Sequence, residues 1–237
     1  MTAFNCTAWH TRDGAGGVSN AMFKHFGTDE EGLGNPGRIP PTLDGVGAKL
    51  RPEWLRKVLF DAATTRPYMH TRMPQFGEAN LQELPGLFEK VDSLPVVELP
   101  EPKRNDRRKY REAGHLLVGD KGLNCVACHN FNGKPSPGLK GLDLLNSFER
   151  LQPSWFAHFM RNPQKYRPGI VMPDFWPGGK AVRQDVLEGN ADEQLLALWH
   201  YFSLGRSARD PSGIRSEGTD LLVTDRTRVY RGRSRVG

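Results

Sequence analysis

Cysteine is scarce in this chain, with three residues in 237. A tetrahedral zinc site needs four ligands; beyond the pair Cys125 and Cys128 only the distant Cys6 remains, and the nearby His115 and His158 show no paired spacing. A thioredoxin-like redox pair belongs just after a strand in a βαβ unit, and the flanks of Cys125 lack that alternating pattern. Apolar residues are also few, at 37%, which is low for domains of about a hundred residues unless something else completes their cores. No run of eighteen apolar residues occurs, so no membrane-spanning helix is expected. Only five residues precede Cys6, too few for a signal peptide.

What is present is concentrated in one pentapeptide. Cys125-Val126-Ala127-Cys128-His129 is a C-x-x-C-H sequence, the attachment pattern of a c-type haem. Two thiols one turn apart can each form a thioether to a haem vinyl group, while the adjacent imidazole ligates the iron from the proximal side. A second axial ligand is offered by Met172, in Tyr166-Arg167-Pro168-Gly169-Ile170-Val171-Met172-Pro173. Prolines fix their own φ and restrict the residue before them, so this segment is no regular helix and the thioether is presented from a loop.

Pro-Gly-x-x-Met resembles the distal-ligand loop of class I cytochromes c, and Ser136-Pro137-Gly138-Leu139-Lys140-Gly141 resembles that family's Pro-x-Leu-x-Gly segment. From about residue 108 to about residue 205 the order is similar to the family's: entry helix, attachment motif, Pro-Leu-Gly loop, helix, methionine loop and closing helix. The resemblance implies an all-α fold, iron held by His129 and Met172, and a Pro137 carbonyl that accepts the Nδ1 proton of His129, fixing the ring and tuning the metal.

The pattern occurs twice. Leu50-Arg51-Pro52-Glu53-Trp54 matches Leu151-Gln152-Pro153-Ser154-Trp155, and each is followed at the same interval by Arg-Pro. Met73-Pro74-Gln75-Phe76 parallels Met172-Pro173-Asp174-Phe175, Pro41-Thr42-Leu43-Asp44-Gly45 parallels the Pro137 loop, and Asn5-Cys6-Thr7-Ala8-Trp9-His10 parallels Asn124 to His129. The chain is therefore expected to be two tandem class I cytochrome c-like domains of short helices and long loops, 1–100 and 101–210. Residues 211–237 are expected to be a linker and the start of a further domain, since Asp220 to Thr224 and Arg228 to Tyr230 have β-rich composition.

The first domain carries Trp9 where the second has Cys128, and cannot make two thioethers. Two alternatives stay open there. Either haem is held through Cys6 alone, with His10 and Met73 as axial ligands and Pro41 as the acceptor for His10, or the site is vestigial and the indole fills the porphyrin's space.

Helices are expected over Glu53 to Ala63, Asn80 to Val91, Arg108 to Leu117, Ser154 to Arg161 and Ala191 to Leu204, from apolar residues at helical spacing. The glycine-rich stretch from Asp13 to Pro41 reads as a long loop, because Pro41 follows His10 by 31 positions and Pro137 follows His129 by only 8. Both ends read as cut from a longer, exported, periplasmic parent. The net charge of +6 is concentrated in Lys103 to Lys109 and in Arg226, Arg228, Arg231, Arg233 and Arg235. It suits either a solvated linker and tail or a docking surface for an acidic redox partner protein; no nucleic-acid motif accompanies it.

Haem c with both axial positions filled implies an electron carrier. The rivals are a di-haem peroxidase-type enzyme, an electron-donating module of a larger exported oxidoreductase, and a binding or sensing module with a degenerate first site.

Overall fold

The computed structural model describes residues 2–214, 222–225 and 228–230. Over these the chain is mainly helical, with two small antiparallel hairpins, Thr11–Arg12 with Ala15–Gly16 and Leu222–Asp225 with Arg228–Tyr230. The rest of the expected terminal domain, including Asp220 and Leu221, lies outside the described residues. No described helix is long and apolar enough to cross a membrane.

Two cores form, and they differ in size. The larger is built around the entry helix Arg107–Val118 and the closing helix Ala191–Ser203, with the Pro153–Arg161 helix beneath them. Leu195, Leu198, Trp199 and Phe202 are all buried, as their spacing requires. Gly114 sits where the two long helices cross: a Cβ there would run into the Ala197 carbonyl oxygen and lie 2.6 Å from Tyr201 Cβ. Only the absence of a side chain lets the backbones approach this closely.

The smaller core contains five buried residues, Val46, Leu55, Leu59, Leu81 and Phe88, with Phe4, Met73 and Phe76 packed against it. Its Pro52–Phe60 helix begins with proline in the first turn, as does Pro153–Arg161, where a missing N–H costs nothing. The expected helix from Asn80 to Val91 is two helices, Glu78–Leu81 and Leu84–Val91. Pro85 is the cause, since it has no N–H to continue the first helix and instead opens the second.

Extended chain after Asp92 crosses onto the larger core, with Leu94, Val97 and Leu99 packed against it and the Val97 amide donating to Ser154 Oγ at 3.0 Å. Residues before 214 also fold back there: Ala208 is buried, and the Asp120 amide donates to Ser212 O at 3.0 Å.

The two halves meet through equivalent residues. Leu50 and Leu151 form an isolated antiparallel bridge; the Arg51 amide donates to Arg150 O and the Gln152 amide to Lys49 O, both at 2.9 Å. Residues 49, 50 and 51 are related to 150, 151 and 152 by one separation, 101 positions. Each half therefore gives the other what it receives, which is the signature of a two-fold relation.

Candidate functional site

Cys125–Ala127 forms a single 3₁₀ turn, entered through Asn124 in the left-handed region at φ 56°, a conformation asparagine tolerates better than most residues. The His129 amide closes the turn on Cys125 O at 3.0 Å. Cys6–Ala8 repeats it, with Asn5 at φ 52° and the His10 amide on Cys6 O at 2.9 Å. Trp9 and Cys128 both donate their amides to the first cysteine's carbonyl at 3.1 Å. The first half thus keeps the backbone of the Cys125–His129 turn while lacking its second thiol.

Cys125 and Cys128 are free thiols, the first partly buried and the second exposed. Burial pushes the Cys125 thiol up to about 12. A redox pair needs an accessible thiolate near neutrality, and burial works against that at Cys125. His115 Nε2 is 2.9 Å from Asp210 O, and His158 Nε2 is 2.9 Å from Pro95 O. Both rings are committed to backbone carbonyls, and the described residues contain no group of three or more His, Cys, Asp or Glu able to hold a metal.

The two candidate proximal rings are held alike. His10 donates Nδ1–H to Pro41 O at 2.7 Å. For His129 the acceptor is Leu142 O, at 3.0 Å, which corrects the assignment of this role to Pro137. The Gly141 amide is clamped on Cys128 O at 2.8 Å, so the next carbonyl along is the one brought to the ring. Gly141 itself passes close enough that a Cβ would lie 3.3 Å from Nδ1. Leu142 stands 101 positions after Pro41, the separation that also relates Leu50 to Leu151 and Arg66 to Arg167. Pro137 is the better match in composition and Leu142 the match in position. Burial lowers the pKa of both rings, with Arg66 adding to the effect at His10 and Arg150 at His129. Neutral imidazole with Nδ1 carrying the proton leaves the Nε2 lone pair for a metal.

Met172 is partly buried against the larger core, in a non-helical segment. Gly169 adopts φ +78° there, and its amide donates to Gln164 Oε1 at 3.1 Å. Downstream, Trp176 donates Nε1–H to the fully buried Gln194 at 3.0 Å, and Gln194 donates Nε2–H to Arg183 O and Val186 O. The loop is thereby tied at both ends. Met73 is partly buried against the smaller core.

Trp9 does not fill a core. It is 44% exposed, edge-on to Phe26 at 6.0 Å, and lines a cleft of about 370 Å³ together with Pro41, Arg66 and Arg167. Sequence reading passed over Lys49, Arg66, Arg150 and Arg167, although the repeated Arg-Pro and the cation before each Leu-x-Pro were visible in it. Of the basic stretch between the halves, Arg107, Arg108 and Lys109 are paired with Glu101, Glu112 and Glu193. The arginines beyond Arg228 lie outside the described residues, as does Arg226.

Comparison with family models, curated proteins and solved structures found no match.

Proposed function

We propose that this chain is a tandem of class I cytochrome c-like modules that carries electrons through covalently attached haem c. The observation that carries the proposal is the pair of Asn-Cys-x-x-x-His turns with matching backbone hydrogen bonds, each ending in an imidazole whose Nδ1 donates to a loop carbonyl. The donor set of the second module fits the group: two thiols on one turn, an oriented neutral imidazole and a thioether in a pinned loop. Cys125 and Cys128 would anchor the porphyrin, and His129 and Met172 would hold the iron, which supplies a one-electron couple when bound. Leu142 keeps the His129 ring from rotating and fixes which nitrogen faces the metal. In the first module Cys6, His10, Pro41 and Met73 are the counterparts; Trp9, standing at the wall of a cleft, argues for haem there over an indole plug. An exported, periplasmic location and an acidic redox partner belong to the same proposal.

The test is covalent haem per chain, by intact mass after expression with c-type maturation machinery. Wild type should carry haem, and Cys125→Ala with Cys128→Ala should lose the haem of the second module. A wild-type mass equal to that of the bare polypeptide would sink the proposal.

A further inference from the structure

Four cations lie where the two halves join, and among the described residues no acid pairs with them. Lys49 and Arg150 flank the Leu50–Leu151 bridge as two-fold counterparts, and Arg66 and Arg167 are related by the same separation. Arg150 is only 9% exposed, and its Nε is buried with no hydrogen-bond partner. Arg66 Nη1 is held by the neutral carbonyls of Pro36 and Ile39, at 2.9 and 3.1 Å. Lys49 Nζ lies 4.7 Å above the Trp155 ring of the other half. Among the described residues none of the four forms an ion pair. Glu30, the acid acting on the neighbouring Tyr68, is taken by Lys140 at 3.4 Å.

Like charges buried together without counter-ions are strongly unfavourable, and a fold that keeps them has an anion to place against them. The arrangement says which anion. The cleft walled by Trp9 and Pro41, beside the His10 turn, ends on Arg66 of its own half and Arg167 of the other. Arg66 lines the cleft beside the His10 turn, and Arg150 ends the Asn146–Arg150 helix that follows the Leu142 loop on His129, so the cluster draws on both halves. Resting on the haem reading above, we propose that Lys49, Arg66, Arg150 and Arg167 form one shared site for the porphyrin carboxylates of both modules. The first module is therefore a loaded haem site, and two pairs of carboxylates meet two pairs of cations across the two-fold relation. Each module completes the other's cofactor site.

The experiment uses the full chain, matured with haem, and reads haem count and both midpoint potentials. Wild type should carry two haems, with Cys6→Ala lowering the covalent count by one. Arg66→Gln and Arg167→Gln should each lower both midpoints, because removing a positive charge disfavours the reduced state of every iron that senses it. A tenfold change in each reduction equilibrium corresponds to 59 mV for a one-electron couple. Arg66→Lys and Arg167→Lys keep the charge and should restore both haem count and midpoints if a glutamine variant fails to mature. Arg161→Gln, whose side chain binds Asp192 away from the cluster, should move neither midpoint. Inorganic phosphate titrated onto the loaded protein should leave both midpoints unchanged, since the carboxylates already hold the cluster. One haem per chain, attached at Cys125 and Cys128, would overturn the shared site while leaving the electron-carrier proposal standing. Two haems whose midpoints respond only to the arginine of their own module, or a saturable phosphate effect, would overturn it as well. No haem at all would instead strike the electron-carrier proposal.

Discussion

His10 and His129 donate the same hydrogen bond to chemically different residues, because the acceptor is a backbone carbonyl that any residue can supply. Proline at position 41 and leucine at position 142 are interchangeable for this purpose; only the loop path matters. Side chains proposed to react or ligate have no such freedom, which is why Cys125, Cys128 and His129 could be picked out by spacing and Leu142 could not. Met172, as proposed, acts through its side chain and belongs with Cys125, Cys128 and His129. Met172→Ala in the haem-loaded chain should open the sixth position, lower the potential of the second module and admit small ligands, since a thioether favours ferrous iron relative to water. An oxidised spectrum that kept its methionine-to-iron charge-transfer band would refute the assignment.

Among the elements, the crossing of Arg107–Val118 over Ala191–Ser203 supports the second module's turn, because Leu117 O accepts the Leu123 amide at 2.7 Å just before the attachment motif. Gly114→Ala should cost roughly 3 kcal/mol, the upper end for overpacking, since the new methyl meets backbone rather than a movable side-chain tip. Chemical denaturation of the loaded chain would show it as a lower midpoint at unchanged slope; a loss under about 0.5 kcal/mol, the range of neutral surface changes, would mean that the helices slide apart freely. Periodicity predicted both helices to within a residue or two. It ran through the break at residues 82 and 83 because apolar spacing alone ignores what Pro85 does to backbone hydrogen bonding.

For the whole molecule the decisive feature is the two-fold joint and the charge it buries. Burial among Arg150, Arg167 and Arg66 pushes the Lys49 ammonium down to about 7, whereas in an unfolded chain it titrates near 10.4. Between these values the unfolded chain binds a proton that the folded chain does not, so stability should rise with pH from about 7 to about 10, by up to roughly 1.4 kcal/mol per pH unit. Below about 7 both states are protonated and the contribution is flat. Urea unfolding of the full chain made without haem should show this rise, and Lys49→Met should flatten it. The loaded chain should lack it, with carboxylates holding the ammonium charged. An equal slope in Lys49→Met and wild type would show that other groups set it.

Local order fixes what depends on neighbours in the chain. The attachment turn, the proline-opened helices, the methionine loop and the tandem repeat were all written in residue types at set intervals, because hydrogen bonding within a turn and periodic burial act over a few positions. The joint was not. Lys49 and Arg150 are unremarkable cations at the ends of short helices until Leu50 pairs with Leu151; only then does each lose its water to a residue 101 positions away. The path that brings Leu142, rather than Pro137, to His129 was likewise set by the Gly141 clamp on Cys128. Contacts between distant segments, and the desolvation they impose on charge, belong to the tertiary structure because no short stretch of chain contains both partners.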